Sequence, residues 1–463
     1  MRKKVLLLNL PGKMPYIRDY YCSKVSKGSY IYPPTDLVVL SGIIAEKYDI
    51  AVLDAMVHGI SESSCMAEIE AIKPDAVIAL AGAVSWEEDS HILEEIKKKT
   101  NVPIIVTGDL FLEDSAGILK NYPFLDAILL DFTNTDAIAY LEDKEDEIKN
   151  MVYRKDGGIK IKALPRTAEN EYAIPIPRHE LFQGNYNYPF VRHRPFATVL
   201  TDYGCPYKCS FCVIATLGFK CRSVENVIAE LCYLKKLGYK EIYFNDQTFG
   251  IKRTRAQELC ESMIKEELNF GWVCWSRVDV IDEKLLKIMK KAGCHTILFG
   301  VETANEDTLK NMGKGYTLRG VEETFRLCKK YGVRILATYI LGLPGEDRED
   351  VLKTIEFAVR LDSDFVSFNT LIPRAGTPIR QHAVNSGWIA EGDIRMDQSG
   401  TYTVMGNEAL TSDEILALKK NAVRRFYGRP SYIAKRLLGV RSLYEFKRLI
   451  MDGKGVFFGE YGG

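Results

Sequence analysis

The sequence predicts an α/β protein: an N-terminal doubly wound, Rossmann-like domain, then a partial (β/α)6 barrel and a small helical C-terminal region. Short, continuously apolar segments alternate with helical patterns through residues 1–145, and the alternation resumes at Phe196 for six further units. The chain has 463 residues, which is too many for one ordinary core. We therefore expect domains at 1–145 and 196–390, a linker at 146–195 and the helical region at 391–463.

Five apolar segments of the N-terminal region are typical of buried parallel strands, whose two faces are both covered by helices. They lie at 4–10, 49–53, 76–80, 103–107 and 127–130, and helical patterns at 36–45, 61–72, 85–98 and 115–121 separate them. Ligands of open parallel sheets bind beyond the carboxyl ends of the strands. Any ligand of this domain is therefore expected beside the residues that follow each strand.

The linker begins with a pattern typical of a small hairpin, turning at Asp156 and Gly157, and continues as a proline-rich irregular stretch. In the second domain, helical patterns separate six predicted strands at 197–202, 240–245, 271–277, 295–301, 333–341 and 364–371. Six such units predict a partial barrel with its chemistry at the carboxyl ends of the strands. Residues 411–414 and 442–445 have the capping-box spacing that begins a helix.

Charge and hydropathy limit the environment of the protein. The 62 basic and 62 acidic side chains cancel, so no overall field favours a nucleic acid partner. The apolar start is shorter than the roughly 7–15 residues of a secretory core, and no apolar stretch approaches the roughly 18 residues of a membrane span. A cytoplasmic protein is expected. Basic residues such as Lys435 and Arg436 leave open a peripheral membrane contact, although such charge is more often a solvated helix face.

Three of the eleven cysteines, Cys205, Cys209 and Cys212, fall within eight residues directly after a predicted strand. The others are scattered, which is typical of a reducing cytosol with one metal site. Thiolates at this spacing can bind three irons of a [4Fe–4S] cubane and leave the fourth iron open. A zinc knuckle or three incidental cysteines is the alternative, but zinc normally takes four ligands and only Cys221 lies near a matching distance.

The pattern C-x-x-x-C-x-aromatic-C after a first barrel strand resembles the radical S-adenosylmethionine (SAM) superfamily. In that family the open iron binds the methionyl group of SAM, and one electron cleaves SAM to a 5′-deoxyadenosyl radical that abstracts a hydrogen atom. The resemblance implies an enzyme with a reductant such as ferredoxin or flavodoxin as partner. It also implies SAM contacts from the cysteine segment and the ends of the second to fifth strands, at Phe211, Asp246, Arg277, Glu302, Tyr339 and Leu341.

Within this resemblance, Arg277 would bind the SAM carboxylate and Glu302 the ribose hydroxyls, while backbone near Tyr339 would flank the adenine. Each position also has a structural interpretation: Asp246 could cap a helix, Arg277 could pair with Asp279, and Glu302 could be a solvated loop acid. The second strand ends in Asn-Asp-Gln rather than the more widespread Gly-Gly-Glu. We associate this variant with the branch that carries an N-terminal cobalamin-binding domain.

The order of a Rossmann-like domain and a radical SAM barrel is similar to the cobalamin-dependent subfamily and implies cobalamin as a further cofactor. The Asp-x-His-x-x-Gly motif that often supplies a histidine to cobalt is absent, and His58 has the wrong spacing. For Trp86 a place in the core is slightly favoured over a corrin contact. No GxGxxG follows the first strand, so a dinucleotide is not expected. Contacts to cobalamin are expected at Leu10, Gly82, Trp86, Gly108, Asp131 and Thr133.

Two functions follow from the resemblance. The first is a cobalamin-dependent C-methyltransferase that activates an unreactive C–H bond. The second is a radical SAM enzyme of the same architecture that catalyses ring formation, oxidation or C–C coupling, on a lipid or another small molecule. A methylthiotransferase is set aside, because that class has a second three-cysteine cluster and the N-terminal domain here has only Cys22 and Cys65. Auxiliary C-terminal clusters are not expected either, since the last cysteine is Cys328.

Overall fold

The computed structural model describes residues 2–25, 30–163, 170–393, 396–397 and 404–438. These residues form two largely parallel sheets with helices packed against them, followed by C-terminal helices. The predicted fold class is confirmed. Strands that are continuously apolar need helices on both faces of their sheet, and this requirement explains the architecture.

The N-terminal sheet is built on strands that are buried along almost their whole length, except at its edges. Nine strands lie in this part of the described chain: β1 (Lys4–Asn9), β2 (Tyr16–Ile17), β3 (Ser23–Lys24), β4 (Asp49–Asp54), β5 (Ala76–Leu80), β6 (Ile104–Thr107), β7 (Ala127–Leu129), β8 (Asn150–Lys155) and β9 (Gly158–Ala163). The sheet order is β4-β1-β5-β6-β7-β8-β9, and β2 pairs only with β3. The five parallel strands follow the flavodoxin-like order 2-1-3-4-5, which reverses between β1 and β5.

Helices connect the parallel strands of this sheet. They are α1 (Thr35–Ala45), α2 (Ala55–His58), α3 (Glu62–Ile72), α4 (Trp86–Thr100), α5 (Ser115–Asn121) and α6 (Asp136–Leu141). Helix α3 begins where the Ser61 side chain accepts from Ser64 N, and α5 begins where Asp114 accepts from Gly117 N. The helical patterns of the sequence therefore fall on real helices.

The hairpin predicted at the start of the linker belongs to the N-terminal sheet. Strand β8 pairs antiparallel with β7, and β9 pairs antiparallel with β8. The turn lies at Asp156 and Gly157, which both have positive φ. The sheet thus extends to Ala163, beyond the 1–145 range predicted for the first domain.

A second parallel sheet forms the partial barrel. Nine further strands lie in the rest of the described chain: β10 (Asn170–Tyr172), β11 (Phe196–Val199), β12 (Asp202–Gly204), β13 (Phe219–Arg222), β14 (Glu241–Phe244), β15 (Gly271–Ser276), β16 (Cys294–Glu302), β17 (Arg334–Leu341) and β18 (Phe365–Thr370). The barrel has the simple order β11-β14-β15-β16-β17-β18. Its two edge strands, β11 and β18, are not paired with each other, so the barrel is open.

Successive residues of the barrel strands point to opposite faces. On β14, Ile242 and Phe244 pack in the core that the strands share with the helices, whereas Tyr243 belongs to the core on the inner side. The helices of this part are α7 (Val224–Lys236), α8 (Arg253–Lys265), α9 (Glu283–Lys291), α10 (Glu306–Asn311), α11 (Leu318–Lys330), α12 (Arg348–Leu361), α13 (Pro378–Asn385), α14 (Ser412–Tyr427) and α15 (Pro430–Leu438).

The C-terminal helix α14 packs against α12 and the edge strand β18 of the barrel. The predicted capping box at Thr411 and Glu414 is present at the start of α14, whereas the one predicted at 442–445 lies outside the described residues. Tyr427 holds α14 to β18 by donating to Val366 O at 2.7 Å. Lys419 on α14 is only 7% exposed, so this basic residue is not part of a solvated face. No helix in the described ranges is long and apolar enough to cross a membrane.

Candidate functional site

The loop that carries the three cysteines, residues 205–218, joins β12 to β13. We call it the cluster loop. The backbone N–H of Cys205 donates to the carbonyl of Gly218 at 2.8 Å and closes the loop at its base. Gly204 has φ +76°, and a Cβ there would lie 2.0 Å from the same carbonyl oxygen, so only glycine fits. The loop is therefore held in one orientation at the carboxyl edge of the barrel.

Polar groups from distant segments approach the thiols. The hydroxyl of Tyr21, in the N-terminal domain, lies 3.0 Å from Cys212 Sγ. Arg277, at the end of β15, donates from Nη1 to Cys209 Sγ at 3.7 Å, and the carbonyl oxygen of Gly313 lies 4.0 Å from the same sulfur. The thiols thus lie where the two domains meet.

Burial raises the pKa of the Cys205 thiol to about 11 and also raises the pKa of Cys209, on which Lys314 and Arg277 act in the opposite direction. Thiols of this kind become thiolates when metal binds. No three His, Cys, Asp or Glu side chains within the described ranges converge around a single metal ion. A cubane makes a different demand, because each of its three thiolates binds its own iron. Three soft donors on one loop fit that demand.

Asp246 lies at the carboxyl end of β14 and is fully buried. Its Oδ1 accepts from the backbone N–H of Thr201 at 2.6 Å and of Asp202 at 2.9 Å, and its Oδ2 accepts from the Thr201 hydroxyl at 2.7 Å. Burial raises the pKa of Asp246, and these hydrogen bonds oppose the rise. The side chain that the sequence assigns to SAM therefore holds the backbone that leads into the cluster loop.

Arg277 pairs with Asp279. This ion pair is the structural alternative to a SAM contact that the sequence analysis named. Arg277 Nε and Nη2 donate to the two carboxylate oxygens of Asp279 at 2.9 and 2.8 Å. The guanidinium also lies 3.7 Å from the ring centroid of Tyr207 in the cluster loop. Arg277 thus links the end of β15 to the cluster loop, with its remaining nitrogen directed at Cys209 Sγ.

Glu302 lies at the end of β16, where a register shift against β17 follows Gly300. Its φ is +67°, an unfavourable conformation for a residue with a side chain, and such strain is typical of functional positions. Its carboxylate pairs with Lys314 at 2.6 Å, and both side chains are 8% exposed. Glu302 is therefore a buried, paired acid rather than a solvated loop acid.

Lys314 is the residue that the sequence analysis missed. Burial acts to lower its pKa, but the carboxylate of Glu302 outweighs burial and the pKa is raised. The ammonium lies 5.4 Å from the ring centroid of Phe211, the aromatic residue of the cysteine motif. The available signal was a Lys-Gly pair shortly after the fourth barrel strand. This pair does not indicate a site by itself, because only the fold shows that the chain returns to the cluster loop after α10.

Of the remaining SAM candidates, Tyr339 and Leu341 on β17 are fully buried in the core shared with the helices. Their neighbours Thr338 and Ile340 point to the other face and are partly exposed. The side chains of Tyr339 and Leu341 therefore point away from the inner face. The structure brings Phe211, Arg277 and Glu302 together around the cysteines and leaves these two side chains apart.

The six residues expected to contact cobalamin lie at the carboxyl edge of the N-terminal sheet, but five of them are buried. Trp86 packs edge-on against Phe111 and Tyr122, with centroid distances of 5.6 and 5.0 Å, so it is a core aromatic. Asp131 is partly exposed and pairs with Lys220 of β13 at 2.6 Å. The buried five are Leu10, Gly82, Trp86, Gly108 and Thr133.

The segment 13–25 covers the reversal point between β1 and β5. Arg18 lies there fully buried and pairs with Asp89 at 2.7 Å, while its Nη1 donates to the carbonyl of Leu10 at 2.7 Å. A Cβ on Gly82 would lie 2.2 Å from Cys22 Sγ. We call this arrangement the Arg18 seal, because it fills the crevice in which open sheets usually hold a ligand. His58, by contrast, is exposed at the end of α2.

Aromatic residues join the two domains beside the cluster loop. The hydroxyls of Tyr20 and Tyr203 lie 2.9 Å apart, and the ring of Phe132 packs against both. Together with the Lys220–Asp131 ion pair, these contacts bring the carboxyl edges of the two sheets face to face. Any reacting molecule between them would contact both domains.

Comparisons with known proteins agree with this geometry. Residues 199–358 match the radical SAM superfamily. An uncharacterized methyltransferase of Pyrococcus horikoshii (PH0819) is 31% identical over 424 residues, covering 87% of this chain and 89% of the relative. An anaerobic magnesium-protoporphyrin IX monomethyl ester cyclase of Rubrivivax gelatinosus is 25% identical, covering 90% of this chain and 78% of the cyclase.

Two solved structures share the fold. The radical SAM methyltransferase TsrM from Kitasatospora setae, solved with cobalamin and a [4Fe–4S] cluster, has a TM-score of 0.65 at 18% identity, covering 87% of this chain and 76% of that chain. The cobalamin-dependent radical enzyme OxsB, solved with aqua-cobalamin and SAM, has a TM-score of 0.71 at 16% identity, covering 98% of this chain and 72% of that chain. At these identities the likeness is one of fold.

Proposed function

The chain belongs to the radical SAM superfamily, and we propose that it is a cobalamin-dependent C-methyltransferase that activates an unreactive C–H bond. One observation carries this proposal: the cluster loop of the barrel faces the carboxyl edge of a doubly wound N-terminal sheet, with Tyr21 in contact with Cys212. TsrM and OxsB share this fold, and the relative from P. horikoshii is a methyltransferase by name.

Cys205, Cys209 and Cys212 would hold a [4Fe–4S] cluster through one thiolate each. When bound, the cluster and SAM supply a 5′-deoxyadenosyl radical, and cobalamin supplies the methyl group. The contribution of the chain at this point is electrostatic. Arg277 and Lys314 place positive charge near the Cys209 sulfur, which favours its thiolate form.

SAM presents a carboxylate, an ammonium and ribose hydroxyls to the protein. Glu302 remains the candidate for the ribose hydroxyls, since its strained backbone turns a buried carboxylate toward the cluster loop. Arg277 is the sequence-based candidate for the SAM carboxylate, but Asp279 already occupies two of its nitrogens. Lys314, which lies over Phe211 and among the described residues is paired with Glu302 alone, is a second candidate for the carboxylate.

The N-terminal sheet fits cobalamin in topology and in position, because its carboxyl edge faces the cluster loop. The predicted contact side chains fit less well, since five of the six are buried and the Arg18 seal fills the crevice at the strand reversal. We therefore assign no residue of this chain to cobalamin. His58 lies exposed at the end of α2, and we do not assign it to cobalt either.

The test is anaerobic reconstitution of the full chain with iron, sulfide and hydroxocobalamin, followed by reduction and analysis of the SAM products. Methyl transfer by the proposed route forms S-adenosylhomocysteine alongside 5′-deoxyadenosine. The cyclase relative favours a second candidate, ring formation or oxidation, which forms 5′-deoxyadenosine alone. Failure to form 5′-deoxyadenosine would contradict both candidates. Failure to retain cobalamin would contradict the first.

Radical SAM enzymes need an external reductant and a small-molecule substrate. We propose ferredoxin or flavodoxin as the reductant. A peripheral membrane contact through the C-terminal region stays a prediction; it is supported by Leu437 and Leu438, which are 48% and 88% exposed beside Lys435 and Arg436 on α15. Co-sedimentation with anionic and neutral vesicles would test it, and equal binding to both would count against it.

A further inference from the structure

Three carboxylates from different segments, near the carboxyl edges of the two sheets, lie close enough to act on one another electrostatically. Asp19 belongs to the segment 13–25, Asp36 to the first turn of α1, and Asp109 to the loop after β6. We call them the acidic group. The only guanidinium or ammonium that pairs with them among the described residues is Arg374, which contacts Asp109 at 3.2 Å. Only one base of the described chain therefore pairs with these three acids, and burial raises the pKa of Asp109 to about 6.

One carboxylate oxygen of Asp36 lacks a partner among the described residues, while the backbone N–H of the same residue hydrogen-bonds the side chain. Asp36 is 4% exposed, and its Oδ2 accepts no hydrogen bond from any residue that the structure describes. Other buried acids are ion-paired, as Asp89 is with Arg18, or hydrogen-bonded through both oxygens, as Asp246 is. Because an unpaired buried carboxylate is costly, a partner is expected for this one.

The first turn of α1 is fixed against the barrel. Thr198 on β11 donates to the carbonyl of Pro33 at 3.1 Å, and Asn245 after β14 donates to the hydroxyl of Thr35 at 2.8 Å. Asp36 therefore lies at the mouth of the barrel. Burial raises its pKa well above the usual range, and the nearby carboxylates of Asp19 and Asp109 raise it further.

Asp19 connects the acidic group to aromatic residues. Its Oδ2 accepts from the Tyr32 hydroxyl at 2.7 Å, and its Oδ1 accepts from the backbone N–H of Tyr21 at 2.7 Å. The Tyr32 ring packs edge-on to Tyr243 at 5.4 Å, and the Tyr243 hydroxyl accepts from Trp275 Nε1 at 3.0 Å. Rings and carboxylates together are the surroundings that favour an organic cation.

This place is next to the proposed chemistry. Tyr21, whose backbone binds Asp19, contacts Cys212 Sγ through its hydroxyl, and Trp275 lies two residues before Arg277. Trp275 points into the barrel mouth and is partly exposed, unlike its buried strand neighbours. A molecule bound here would therefore lie beside the cluster loop and the SAM site.

We propose that the acidic group binds a protonated amine of the substrate, whose apolar part lies against the partly exposed rings of Tyr32 and Trp275. This inference rests on the proposed radical SAM activity and adds the class of substrate. It favours a cationic small molecule over a neutral lipid as the substrate, because a neutral lipid has no cation that could pair with Asp36. Substrate binding would provide a partner for Asp36 Oδ2.

Three probes of matched shape test the proposal: phenethylamine, 2-phenylethanol and 3-phenylpropionate. Their binding to the reconstituted full chain in the presence of SAM is measured by calorimetry. We expect the amine to bind at least about tenfold more tightly than the alcohol, as a charge-assisted hydrogen bond implies, and the acid to bind least. Asp36→Asn and Asp19→Asn should reduce the preference to about twofold, whereas Glu225→Gln, an exposed acid at the start of α7, should leave it unchanged.

Equal affinity for amine and alcohol would overturn the proposal, as would a preference that survives in both Asp variants or failure of the amine to bind while SAM still binds. Thermal unfolding distinguishes a binding role of Asp36 from a purely structural one. Burial raises the pKa of Asp36 and favours its neutral form. Asp36→Asn replaces that form by a neutral amide of the same shape, so the melting temperature should be little changed, and a marked fall would make Asp36 a structural residue. The binding test needs no turnover. The product ratio of SAM cleavage therefore tests the proposed function independently.

Discussion

The carboxyl edges of the two sheets differ, although parallel sheets of both kinds usually bind ligands beyond the carboxyl ends of their strands. At the barrel edge, backbone contacts at Gly204 and Gly218 hold a loop that carries three thiols, each approached by individual polar groups such as the Tyr21 hydroxyl. At the N-terminal edge, Arg18 and Cys22 from the segment 13–25 fill the reversal point of the sheet. Strand topology therefore predicts where a site can be, and the loops decide whether that place is open.

The difference also concerns charge. Arg18 is surrounded by acceptors, among them Asp89 and the carbonyls of Leu10 and Pro11, so the N-terminal edge is neutralised internally. In the acidic group, by contrast, one buried oxygen of Asp36 has no partner in the described part of the chain. This difference supports our proposal that the substrate binds between the sheets rather than within the N-terminal sheet.

The largest expected effect is at the barrel edge. Replacement of Cys205, Cys209 and Cys212 by alanine should abolish the iron–sulfur cluster, because each residue is proposed to supply one thiolate. Iron and sulfide are measured after anaerobic reconstitution. A matched variant with Cys232, Cys260 and Cys328 replaced by alanine should still incorporate about four irons per folded chain. Retention of the cluster in the first variant would end the radical SAM assignment of these cysteines.

The corresponding change at the N-terminal edge should affect stability instead. Arg18→Ala leaves Asp89 buried without its partner, so the free energy of unfolding should fall by about 3–5 kcal/mol. Denaturant unfolding measures the change. Lys99→Ala, which removes an exposed ion pair with Glu70, should cost no more than about 1 kcal/mol. If the two variants are equally stable, the Arg18 seal does not hold this edge closed.

The sequence was sufficient for the fold, because apolar strands and amphipathic helices are encoded locally. It also located the cluster loop, since the cysteine spacing itself carries the chemistry. The partners of the strand-end residues could not be predicted in the same way. Asp246 binds backbone 45 residues earlier, and Tyr21 reaches Cys212 across 191 residues. The short strands β12 and β13 were missed because three or four residues carry too little periodicity to detect.

The smallest of these effects is expected for Glu302→Gln. This variant distinguishes binding of SAM from support of the cluster loop at the barrel edge. The substitution keeps the shape of the side chain but removes the charge that pairs with Lys314 at 2.6 Å. If Glu302 binds the ribose hydroxyls, the variant should lose about 1–3 kcal/mol of SAM affinity, the usual contribution of one charged hydrogen-bond partner. Calorimetry on the reconstituted protein measures the affinity, and iron analysis checks that the cluster is retained.

Asp307→Asn is the matched control, since Asp307 is an exposed acid in the first turn of α10, five residues beyond Glu302. Its SAM affinity should equal that of the unmodified protein. A loss of affinity in Glu302→Gln with the cluster intact places the Glu302–Lys314 pair at SAM. A loss of cluster together with affinity would instead mean that the Glu302–Lys314 pair supports the cluster loop, because Lys314 acts on Cys209. Unchanged affinity would remove Glu302 from the site and leave its positive φ as a feature of the register shift alone.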